Sequence, residues 1–114
     1  RPWLFRPPYI DHNEAMHKTV GHTFICGLGC EDWVPERTAQ MRHDAIMANV
    51  KNGDIILLHD FEGNDSTVEA LRTLIPALRE RGFTLVTVTE LFKKMGITPE
   101  VSNGIIYTNV MQTK

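Results

Sequence analysis

Short apolar runs alternate with helix-compatible stretches along the whole chain, and this alternation does most to restrict the fold. Strand-like runs fall near residues 1–5, 22–28, 55–59 and 83–88. Helix-compatible stretches cover 11–20, 35–50, 67–81 and 90–95. Strands that alternate with helices predict parallel pairing through right-handed crossovers, the α/β class. The run Ile55-Ile56-Leu57-Leu58 is apolar on both faces, as a parallel strand covered on both sides would be, and the turn Asn52-Gly53-Asp54 precedes it. Four such strands are too few to close a barrel, and a half-barrel would leave two unpaired edges, so the pattern reads as half of something larger.

Local signals place the boundaries. Asp11 or Asn13 can cap the first helix and Gly21 can stop it. Pro35 opens the second, where Ala39, Arg42, Ile46, Met47 and Val50 give a 3.6-residue stripe. Ser66 with Glu69 predicts a capping box for the third helix, and Pro76 predicts a kink within it. Thr89 is expected to cap a last short helix that Gly96 closes, and a weak strand signal follows at 105–107.

At 114 residues the chain is expected to be one domain, residues 1–114. A net charge of −2 carries no electrostatic footprint for nucleic acid or an anionic membrane, and the longest aliphatic run, 55–58, is far too short for a membrane span. Because the chain starts at Arg1, its true N-terminus is expected to lie upstream, and secretion stays open.

The residues that could carry chemistry stand where strand-like runs end. His59 follows four aliphatics, so its imidazole is expected to emerge among the loops, where it could act as a general acid near neutral pH; the structural alternative is a core histidine held by backbone. Asp32 ends an earlier run and could orient and charge His59, or simply cap a helix. Trp33 beside it could wall a small acyl pocket, stack on a sugar ring, or pack. Arg6, on the stiff turn Arg6-Pro7-Pro8-Tyr9, could pair with a buried carboxylate while the Tyr9 amide faces an oxyanion, or lie on the surface. Cys26 and Cys30, with His17 and His22 upstream, invite a zinc site, but Cys26 lies in an apolar run and Cys-x3-Cys is not the tight Cys-x2-Cys knuckle. His12, His17, His22 and His43 read as surface or packing residues, and no metal site is expected in this chain.

In their order and spacing, Arg6-Pro7-Pro8-Tyr9, Asp32-Trp33 and Leu57-x-His59 resemble the third, fourth and fifth motifs of the polysaccharide deacetylases, the NodB-homology enzymes of carbohydrate esterase family 4. Thr87-Val88-Thr89-Glu90-Leu91-Phe92 and Gly104-Ile105-Ile106-Tyr107-Thr108-Asn109 resemble that family's bacterial C-termini. The resemblance implies the C-terminal half of a distorted (β/α)7 barrel that removes acetyl groups from an N-acetylglucosamine polymer such as peptidoglycan or a chitin-type oligosaccharide, outside the cell or in its envelope. An acetyl xylan esterase of the same mechanism and a non-catalytic carbohydrate-binding remnant are the alternatives. It implies His59 as general acid, Asp32 tuning it, Arg6 pairing with the catalytic aspartate, the Tyr9 amide at the oxyanion, and Trp33 and Leu57 lining the acetyl pocket. It also implies a divalent metal, zinc the expected ion, whose ligands lie in a Thr-Phe-Asp-Asp and a His-x3-His segment. Neither segment occurs here, so an N-terminal companion segment is expected to complete the barrel. Two positions depart from the family pattern. Gly29 stands where an aspartate often begins the fourth motif, and Ile10 stands where glycine often follows the third.

Overall fold

A computed structural model describes residues 3–7, 10–59, 61–101 and 104–112. Its backbone divides into two compact units, one from residues 1–27, 53–55 and 87–114 and the other from 28–52 and 56–86. The architecture is α/β with parallel pairing, as the alternation of runs predicts.

The first unit carries a three-stranded sheet of β1 (Leu4–Phe5), β2 (Thr23–Ile25) and β3 (Ile106–Tyr107), in the order β1-β2-β3. Both pairings are parallel, with Leu4 opposite Thr23 and Phe24 opposite Ile106. Helix α1 (Glu14–Val20) begins at Asn13, whose side chain accepts from the Met16 amide, and ends at Gly21 in the left-handed region, φ 64°. Helix α4 (Val88–Lys94) lays Val88, Leu91, Phe92 and Met95 over a core of Ile25, Ile55, Ile105, Tyr107 and Val110. Phe92 sits at the centre, edge-on to Trp3 at 6.1 Å and to Tyr107 at 5.0 Å. Phe92→Ala is expected to cost about 3–5 kcal/mol of stability, read by urea titration; a loss below about 1 kcal/mol would show that this core does not depend on the ring. Residues 53–55 belong to the same unit. Asp54 bridges Asn109, and Gly53 must be glycine twice over, since its φ is 87° and a Cβ there would stand 2.9 Å from Asn109 Oδ1.

The second unit is built on two helices, α2 (Ala39–Asn49) and α3 (Asp65–Glu80). Cys30, Ile46, Leu74 and Leu78 form its core, with Leu28, Ile56, Leu58 and Phe83 packed against them. Leu28 and Ile56 bridge in parallel, and the Leu57 amide donates to the Leu28 carbonyl at 2.9 Å.

The elements differ from the sequence expectations in four places. Residues 83–87 form no strand. There Phe83 turns into the core of the second unit, and Thr87 caps α4 two residues earlier than expected through a reciprocal box with Glu90, so capping outweighs the β-propensity of Val88 and Thr89. Within residues 55–59 only Ile56 makes an isolated bridge, to Leu28, in place of a full ladder. Helix α2 starts at Ala39 because the Thr38 hydroxyl accepts from the Met41 amide, leaving Pro35 in the loop before it. Helix α3 starts at Asp65, one residue ahead of the expected Ser66 cap, and continues past Pro76. Among the described residues, no helix is long and apolar enough to cross a membrane.

Candidate active site

The second unit brings Asp32, Trp33 and His59 together, with Leu57 two residues before His59. After Leu28 the chain turns at Glu31, whose φ of 55° bends the loop so that Asp32 points inward, and Asp32 is only 1% exposed. His59 stands where the aliphatic run ends. Its ring Nδ1 lies 2.7 Å from Asp32 Oδ1, and its backbone amide donates to Asp32 Oδ2 at 2.5 Å. The carboxylate therefore grips both the ring and the main chain of one residue. The His59 side chain remains 38% exposed, so the rest of the imidazole is open to the surroundings. Trp33 is exposed and meets the His59 ring edge-on, centroids 5.7 Å apart. Leu57 is buried beside Gly29. A Cβ at Gly29 would meet only Leu57 Cδ2, at 3.8 Å, so the backbone there does not require glycine.

Burial alone would push the Asp32 carboxyl up. The His59 amide, the His59 ring and the Thr67 hydroxyl outweigh that effect and hold it below the ordinary carboxylate value. Asp32 is thus an anion at neutral pH, and an ionised carboxylate only accepts hydrogen bonds. The neighbouring Cys30 thiol is pushed up, first by burial and then by the Asp32 charge, which makes it a packed thiol rather than a reactive one.

Three residues of this site carry no signal that the sequence reading used. Thr67 Oγ1 donates to Asp32 Oδ2 at 2.9 Å. Asn64, the N-cap residue of α3, makes no side-chain cap bond; Nδ2 donates to the His59 carbonyl at 2.8 Å. Arg42 is 2% exposed, and it donates to Asn64 Oδ1 at 2.6 Å, Thr67 Oγ1 at 2.8 Å and the carbonyls of Val34 and Arg37 at 3.1 Å. Arg42 is one position of the 3.6-residue stripe on α2. A guanidinium at a buried stripe position was the clue, because such a charge must find partners.

Arg6 belongs to the first unit. It is exposed, and its Nη2 donates to the Cys26 carbonyl at 2.6 Å. Tyr9 lies outside the described residues. The Ile10 amide donates to the Pro7 carbonyl at 2.9 Å, and Ile10 has φ 55°. That is the left-handed region, costly for a β-branched residue and free for glycine, which accounts for the glycine the family pattern often has there. In the same unit His17 is buried, stacked on Phe24 at 3.9 Å, with His12 Nδ1 and His17 Nε2 2.9 Å apart. Among the described residues no group of three or more His, Cys, Asp or Glu side chains is arranged to hold a metal ion.

No family model matches the chain. It is 44% identical over 107 residues to a bifunctional xylanase/deacetylase of Pseudobutyrivibrio xylanivorans, covering 94% of this chain and 18% of that protein. It is 39% identical over 101 residues to a peptidoglycan-N-acetylglucosamine deacetylase of Bacillus cereus, covering 81% and 46% respectively. The crystal structure of a family 4 acetyl xylan esterase from Clostridium thermocellum, in complex with a cobalt ion, superposes with a TM-score of 0.89 at 40% identity. The chain belongs to the polysaccharide deacetylases of carbohydrate esterase family 4. The chain spans about half the length of the Bacillus cereus relative and 54% of the solved esterase, the latter match covering 96% of this chain. Its α/β fold is that of NodB-type domains.

Proposed function

We propose that residues 1–114 are the C-terminal portion of one catalytic domain that hydrolyses acetyl groups from a polysaccharide, with His59 as its general acid. The observation that carries this reading is a buried carboxylate, Asp32, gripping an imidazole whose remaining surface is open. With Nδ1 bound to Asp32, Nε2 is the nitrogen left to hand a proton to the departing amine or alcohol, and the buried anion stabilises the imidazolium that must form first. Trp33 and Leu57 would line the acetyl pocket, Arg6 would pair with the catalytic aspartate, and the Tyr9 amide would face the oxyanion.

Among the described residues no group of side chains is arranged as a metal centre. A divalent ion, zinc by expectation, would be held by an N-terminal companion segment that completes the barrel, and it would supply Lewis-acid activation of water and acetyl carbonyl. The names of the relatives support an acetylated polysaccharide as substrate, in the cell envelope or outside the cell. An N-acetylglucosamine polymer is the first choice. The xylanase/deacetylase and the xylan esterase, at 44% and 40% identity, favour acetylated xylan as the second reading.

The test is acetate release from N-acetylglucosamine oligomers and from acetylated xylan by this chain joined to a family N-terminal half. Metal-dependent release from the first supports the amide reading, and release from xylan alone supports the ester reading. Binding of either polymer without acetate release would leave a carbohydrate-binding remnant and overturn the enzymatic reading.

A further inference from the structure

Hydrogen-bond chemistry around Thr67 fixes more than the position of Asp32. A threonine hydroxyl has one proton to give and two lone pairs to fill. Arg42 Nη1 reaches Thr67 Oγ1 at 2.8 Å and can only donate; Asn64 Nδ2 reaches it at 3.1 Å. The Asn64 amide cannot be reversed, because its Oδ1 receives the donor-only Arg42 guanidinium and its Nδ2 faces the acceptor-only His59 carbonyl. Both lone pairs of Thr67 are thus occupied, and its single proton has one place to go, Asp32 Oδ2 at 2.9 Å. Oδ2 also takes the His59 amide, which leaves Oδ1 for the ring.

Arg42 explains why the arrangement holds. Its acceptors are all neutral, and among the described residues no carboxylate pairs with it directly. A buried cation without a counter-ion is costly, and here the compensating anion, Asp32, stands one hydroxyl away. Helices α2 and α3 supply Arg42 and Thr67, so packing of the second unit sets the geometry of the pair.

We propose that Thr67, locked by Arg42 and Asn64, is a positioning residue that orients Asp32 so that the His59 ring carries its proton on Nδ1 and presents Nε2 to the substrate. This rests on the reading of His59 as general acid for its catalytic meaning, but the orientation itself is tested without activity.

The experiment is ¹⁵N NMR of the chain labelled at histidine, comparing wild type, Thr67→Val and Thr67→Ser, with turnover of the same variants in the completed domain. Neutral His59 is expected as the Nδ1–H tautomer in wild type. Thr67→Val, similar in shape but lacking the hydroxyl, is expected to give mixed tautomers and a turnover about tenfold lower, the scale at which losing an outer hydrogen-bond partner is felt. Thr67→Ser is expected to restore both, which a purely packing role for the threonine methyl would not do. An Nε2–H tautomer in wild type, or an unchanged tautomer and rate in a folded Thr67→Val, would overturn the proposal. If Thr67→Val does not fold, the wild-type and Thr67→Ser spectra decide. Should His59→Ala keep full turnover, the general-acid reading fails while the tautomer spectra still report on Thr67.

Discussion

His59→Ala in the completed domain is expected to lower turnover by about 10²–10⁴-fold, the usual contribution of a positioned acid, while leaving polymer binding and the fold nearly unchanged. The fold should survive because the main-chain half of the Asp32 grip does not depend on the ring. The amide of residue 59 would still donate to Oδ2, and Thr67 would still donate beside it. The loss should therefore fall on turnover rather than on KM, and steady-state kinetics on an acetylated oligomer separates the two. A variant running near the wild-type rate would remove His59 from the mechanism. A variant that loses turnover because it no longer folds would show a changed thermal melt.

Asp32→Asn is expected to lower turnover over a similar range, about 10²–10⁴-fold, by a different route. The carboxylate accepts three hydrogen bonds, from the His59 amide, the His59 ring and Thr67. If the new amide oxygen keeps the two contacts at Oδ2, its NH₂ faces Nδ1 and donates. The ring must then carry its proton on Nε2, and the anion that supported the imidazolium is gone. The same substitution tests a stability term. Asp32 is held below its ordinary value in the folded chain, so its contribution is present above about pH 4, the unfolded range, and is lost as pH falls through the folded value. Urea titrations at stepped pH should show wild type losing stability in acid more steeply than Asp32→Asn. Equal slopes would mean that the carboxylate gains nothing from its three donors.

How much of this was legible in the sequence depended on whether a residue acts alone or through partners. That Asp32 and His59 would meet follows from both standing where strand-like runs end, and the motifs placed them together. The network behind them was not legible, because Thr67 is one more residue in the first turn of a helix and Asn64 one more polar loop residue. Arg42 read only as one position of the 3.6-residue stripe with Ala39 and Ile46, and spacing does not reveal the partners of a guanidinium. The error at 83–88 has a similar origin: a β-prone run hid a capping box whose two members, Thr87 and Glu90, are spaced for a helix start. Arg6 and Tyr9 illustrate a different limit. Their expected partner lies in motifs this chain does not contain, so no reading of these residues alone could locate it.

The order β1-β2-β3 has a consequence for the birth of the protein. Its middle strand, Thr23–Ile25, takes one neighbour from just before it in sequence and the other from beyond α4. During synthesis, Phe24 is made before Ile106 and must wait for it before its second edge is covered, whereas α2 and α3 emerge close together and can pack at once. Until then the nascent chain exposes a hydrophobic edge ready to pair with any other strand, the form in which such chains aggregate. Only when β3 has been made does that edge gain its covering strand.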